Sequence, residues 1–130
     1  MDPYRSPENV ARAAAAVRAA HEALIGREHD GVRVDSVWHY GAVDLHTAHL
    51  VVWIMLGGRP LEELPEWFTI GPDPSDPAKA RAVDPAWLHS LRQVVVDAFA
   101  AQGWPEPDRV HVLTDSSDRA ASQGGWFYFK

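Results

Sequence analysis

The pattern of apolar and polar positions divides the chain into segments of two periodicities. Val10, Ala13, Ala14, Val17, His21, Leu24 and Ile25 recur at helical spacing. Ser6-Pro7-Glu8 supplies a cap, a first-turn proline and an acidic residue at the positive helix end, and Gly26 a stop. Asp30-Gly31 marks a turn. From Val32 to Tyr40 the period is two, with Val32, Val34, Ser36, Trp38 and Tyr40 predicted on one face and Arg33, Asp35, Val37 and His39 on the other. His49 to Leu56 is almost wholly apolar, which predicts a central strand buried on both faces and paired to the first as an antiparallel hairpin.

Six of the ten prolines lie between Pro60 and Pro85. Within that stretch Trp67 to Ile70 reads as a short edge strand and Gly71 to Lys79 as an irregular, mobile loop. Asp84-Pro85 opens a second helix, whose stripe is Trp87, Leu88, Leu91, Val94, Val95, Ala98 and Phe99 and which ends at Gly103. A strand follows from Arg109 to Thr114, then a polar segment from Asp115 to Gln123 with room for one helical turn. Trp126 to Phe129 reads as a terminal aromatic strand. The predicted fold is one α+β domain over 1–130, in the order α-β-β-(β)-α-β-β. It has an antiparallel sheet of four to five strands with two helices on one face.

Length and composition agree with a single packed domain. The 130 residues are 46% hydrophobic and 23% charged, as in ordinary globular proteins. There is no cysteine, which excludes disulfides, thiolate catalysis and Cys-ligated zinc and fits a cytoplasmic location. The first residues lack a basic stretch leading into an apolar core, so no secretion signal is expected. The apolar run from Leu50 to Leu56 is too short to span a bilayer, so no membrane partner is expected either. The net charge of −6 repels phosphate backbones and argues against nucleic acid. Protonating all seven histidines would bring that charge to +1.

Three stretches hold candidate chemistry. Asp44, His46 and His49 combine an oxygen and two imidazoles suited to a divalent metal, if a tight turn brings the histidines together; otherwise they are titrating loop residues. His39 and His111, on separate predicted strands, would form a pair suited to acid–base work if they met across the sheet. No Gly-x-Ser-x-Gly elbow surrounds Ser116 or Ser117, and Thr114 to Asp118 reads as a helix cap or turn.

Aromatic residues form 10% of the chain and cluster at Trp67-Phe68 and at Trp126-Phe127-Tyr128-Phe129. A terminal strand of four aromatics has an aromatic side that the core cannot take, so another element, a ligand or another chain must cover it. Trp67, Phe68, Trp126, Phe127 and Tyr128 are therefore the candidate binding residues.

The C-terminal third resembles a group of small bacterial accessory or immunity-type proteins. The resemblance rests on Gly103-Trp104-Pro105 at the helix end, the strand Val110 to Leu113, the Thr114 to Asp118 turn and the closing Gly124-Gly125-Trp126-Phe127-Tyr128-Phe129. It implies a cytoplasmic protein that binds a partner and brings no catalytic residues. The expected function is non-catalytic binding of another protein, a basic one among the candidates, or of a second copy, with no cofactor. The alternatives are a small metal- or His-dependent enzyme and a small-molecule binder whose sheet and Pro-rich loop form an aromatic-lined pocket.

Overall fold

The structure is a computed structural model that describes residues 2–73 and 76–129, without the side chains of Trp126 and Phe127. Helix α1 spans Glu8–Leu24 and helix α2 Pro85–Ala101. The strands are β1 (Glu28–His29), β2 (Val32–Tyr40), β3 (Val51–Gly57), β4 (Phe68–Thr69) and β5 (His111–Ser116). A short helix α3, Ser117–Ser122, follows β5 directly. The sheet order is β1-β2-β3-β5-β4.

The α+β class and the β2–β3 hairpin are as expected, but the sheet is mixed. β3 and β5 run parallel, with Val51 opposite His111 and Leu56 opposite Ser116, while β4 pairs antiparallel to β5. The reason lies in the connection. The 17 residues of α2 rise roughly 25 Å, enough to carry the chain back along the length of a strand. β5 therefore starts at the same end as β3.

The predicted terminal strand is a further correction: Gly125–Phe129 forms a 3-10 turn. β5 is flanked by β3 on one side and, at Leu113 and Thr114, by β4 on the other, so a terminal strand cannot pair with β5 there. Gly124 and Gly125 take positive φ and fold the chain back, so that Phe129 packs on Trp53. The strand expected from Arg109 starts two residues later and runs on to Ser116. Of the predicted Gly71–Lys79 loop, Pro77–Ala80 is a 3-10 turn capped by the Asp76 side chain, and residues 74 and 75 lie outside the described residues.

The two long helices cover one face of the sheet. Ala13, Ala16, Val17, Ala20 and Leu24 of α1 and Leu88, Leu91, Val95 and Phe99 of α2 pack with Val34, Val52, Ile54, Leu56 and Val112. Alanines on α1 let its backbone approach β2 closely. Val10, expected in this stripe, is 53% exposed, because the buried row starts one residue earlier at Asn9. That side chain is fully enclosed and donates to the carbonyls of Pro3 and Val43. At the other helix the Asp84 carboxylate accepts from Ala86 N at 2.9 Å, with Pro85 in the first turn, as its sequence predicts.

One residue changes which way β2 presents its side chains. The register shifts between Val34 and Ser36, so Asp35 is the extra residue of a β-bulge. Val32 and Val34 face the helices, and beyond the bulge it is Val37 and His39 that continue that side, while Trp38 and Tyr40 pass to the opposite face. The uninterrupted alternation predicted for Val32 to Tyr40 placed Trp38 and Tyr40 against the helices.

The turn after β2 tests how tightly the chain is folded. A Cβ on Gly41 would lie 1.9 Å from the His49 carbonyl oxygen, at φ +121. Gly103 also has positive φ (+72), yet a Cβ there would meet nothing within 4 Å. Gly41→Ala is expected to cost about 2–4 kcal/mol and Gly103→Ala about 1 kcal/mol. Urea unfolding of the two variants measures the difference; equal losses would show that the Gly41–His49 approach is not close.

Candidate functional site

Two places bring functional side chains together: the second face of the sheet and the loops at the amino ends of β3 and β5. On the second face, Trp53, Met55 and Leu113 pack with Ala120 of α3 and Phe129 of the last turn, flanked by Trp38, Tyr40, Val51 and Tyr128. The rings interlock. Trp53 lies 4.6 Å from Phe129 and 5.0 Å from Trp67, and Phe129 meets Trp38 edge-on at 4.7 Å. Much of the aromatic excess is thus covered by the chain itself.

Beneath these rings lies a carboxylate from the polar stretch that the sequence reads as a helix cap or turn. Asp115 is fully buried and accepts four hydrogen bonds. Its Oδ1 takes Ser116 N at 2.6 Å and Arg119 Nη1 at 3.0 Å; its Oδ2 takes Trp67 N at 3.0 Å and the Tyr128 hydroxyl at 2.9 Å. Arg119 is nearly as buried and also donates to the carbonyls of Pro65, at 2.6 Å, and of Leu61. The pair is therefore compensated on every side, which a buried ion pair requires. Burial raises the Tyr128 pKa above the ordinary tyrosine value, and the hydrogen bond to Asp115 and that carboxylate's charge raise it further. The four-residue spacing of Asp115 and Arg119 was the available signal. The same stretch was read as a cap, and Ser116 does cap α3 by accepting from Arg119 N.

The candidate binding residues fall in different places. Trp67 is 36% exposed at the rim of the aromatic layer, whereas Phe68 is buried in the helix-side core. Tyr128 is half-buried with its hydroxyl on Asp115. The side chains of Trp126 and Phe127 lie outside the described residues. Beside this layer a shallow groove of about 340 Å³ runs over Ser36, Trp38, Met55, Ala121 and Phe129. Its rim is charged. Asp35 accepts from Arg33 Nε at 2.8 Å and from Ser117 Oγ at 2.8 Å. The Arg33 pKa is raised first by that hydrogen bond, next by the charge of Asp35, and also by Glu28 and Asp118. Three carboxylates thus surround one guanidinium.

The second place is a cleft of about 490 Å³ where the N-terminal segment, the loop before β3, the Pro-rich loop and the loop after α2 converge. His46 lines it, stacked on Tyr4 at 5.8 Å, and His111 stands at its wall. The turn Thr47–His49 brings His46 and His49 to 6.2 Å between ring centroids. Their Nδ1 atoms face backbone groups: His46 accepts from Ala48 N at 2.9 Å, and His49 lies 3.2 Å from the Ala42 carbonyl. Asp44 is exposed. Among the described residues no group of three or more histidines and carboxylates is arranged to hold a metal ion.

His39 and His111 do not meet. His39 continues the helix-side row of β2, where burial lowers its pKa, while His111 aligns with Val51 and Leu113 on the other side of the sheet. The bulge at Asp35 sets the facing of His39, and a local sequence pattern does not reveal it.

Two outcomes follow from the buried network. Asp115→Ala leaves Arg119 uncompensated and is expected to cost about 3–5 kcal/mol. A denaturation cycle with Arg119→Met should give a coupling of at least about 1.5 kcal/mol, as for groups sharing one network. Tyr128, with its pKa raised in the folded state, contributes stability that is complete below the ordinary tyrosine value of about 10 and is lost as pH rises beyond it. Tyr128→Phe should therefore flatten the alkaline limb of the stability curve, read from urea unfolding between about pH 8 and 11. No protein-family model matches the chain, and neither the curated proteins nor the solved structures contain a match to it.

Proposed function

We propose that this chain is a non-catalytic binding protein of the accessory or immunity type, and that it holds a basic segment of another protein on the second face of its sheet. The observation that supports this is the apolar groove beside an acidic rim. Trp38, Met55 and Phe129 offer a floor for an apolar side chain, and Ala121 a low wall. Glu28, Asp35 and Asp118 all act on Arg33 beside the groove and supply carboxylates for a basic partner. An apolar anchor flanked by Lys or Arg satisfies both features. Charge of this kind steers association and selects against acidic partners more than it adds affinity. The whole-chain charge of −6 acts in the same direction at longer range.

The chemistry is tested with synthetic ten-residue peptides that share a central Leu or Trp and differ in flanks of Lys/Arg, Ser or Glu. Fluorescence polarisation should rank the basic-flanked set first, with affinity falling several-fold between about 50 and 300 mM salt. Asp118→Lys should lower that affinity, and Ala121→Arg, which narrows the groove and neutralises its rim, should lower it further. Equal binding of Glu-flanked peptides, or indifference to Ala121→Arg, would overturn the reading.

A further inference from the structure

The cleft at the amino ends of β3 and β5 lies away from that groove and differs from it in chemistry. Its volume of about 490 Å³ is within the range of small-molecule sites. Leu50, Val110 and the buried Trp104 give it an apolar floor. The Tyr4 and His46 rings, stacked with their planes 16° apart, make one side of it aromatic. Because His46 Nδ1 accepts from Ala48 N, its neutral ring carries the proton on Nε2 and has a donor left over.

The lining also holds charges of both signs. Arg109, Glu106 and Asp73 all border the cleft. Among the described residues none of the three makes an ion pair within 4.0 Å. Glu106 and Arg109 stand at the two ends of the short turn Pro107–Arg109 without pairing to each other. Glu106 moreover sits in the left-handed region at φ 49, which non-glycine residues seldom adopt. With neutral histidines the two carboxylates outnumber the one guanidinium. A simple anion therefore meets net repulsion and a simple cation meets Arg109. A molecule with both signs meets a partner for each.

We propose that this cleft binds a small zwitterion with an aromatic or apolar body, a free amino acid. Arg109 takes its carboxylate, Glu106 and Asp73 take its ammonium, and its body lies against Tyr4 and His46. The site stands independently of the groove, so either can fail without the other.

The test uses the full chain and three related probes: phenylalanine, N-acetylphenylalanine, which lacks the ammonium, and phenylalaninamide, which lacks the carboxylate. Two-dimensional amide NMR should show phenylalanine shifting Thr47, Glu106 and His111, with a Kd of about 1 mM or tighter and at least about tenfold weaker binding of the other two. Arg109→Gln should abolish the preference for phenylalanine over the amide, and Glu106→Gln the preference over the acetyl form. Both side chains are exposed, so the variants should keep the parent spectrum elsewhere. Equal affinity for all three probes, shifts confined to the groove, or no shift at millimolar phenylalanine would overturn the proposal.

Discussion

A carboxylate removed from water must find partners for both oxygens, and the way Asp115 does so organises half of this molecule. It stands in β5 with no exposure, yet each oxygen accepts two hydrogen bonds. Those bonds come from the start of α3, from the residue before β4, and from the closing turn. Arg119 extends the set to the carbonyls of the loop after β3. Two stretches about fifty residues apart, 61–67 and 115–128, are thereby tied together through this carboxylate and Arg119. The alternative for any of them is a buried unpaired charge, so the arrangement specifies position as much as it stabilises.

This constraint also explains the unequal faces of the sheet. The helix side is a conventional apolar layer of small and branched residues. The other side is too short of chain for a full layer: six residues of α3 and the five-residue terminal turn have to cover it. Large rings compensate, since each covers more area than an aliphatic side chain. The bulge at Asp35 contributes by sending Trp38 and Tyr40 to that side. Among the described residues the cover ends at Trp67, which stays 36% exposed.

What could be read in the sequence follows from how local each cause is. α2 was legible end to end because its cap, its first-turn proline and its stripe lie within 17 residues. β2 was found with its full extent, but the sidedness of its second half was not, since one inserted residue reverses it without changing composition. The parallel course of β5 and the turn at Gly125–Phe129 depend on which edges remain free once the sheet has formed. Of the candidate site residues, the His46–His49 pair was legible as a cluster, whereas its place in a cleft with Tyr4 and His111 arises only from the meeting of distant loops. Asp115 was hidden for a related reason: a carboxylate in a polar stretch reads as solvated until β4, α3 and Tyr128 close over it.

The two sites lie toward opposite ends of the same pair of parallel strands. The groove sits where β3 ends and α3 begins; the cleft sits where β3 and β5 start. Between them runs a strand with every side chain from Val52 to Leu56 buried and packed on both faces. Such a rod resists small adjustments, because close-packed interiors accept strain poorly. The proposed groove and the proposed cleft share no lining residue, so a variant that alters the lining of one is expected to leave the other's chemistry intact.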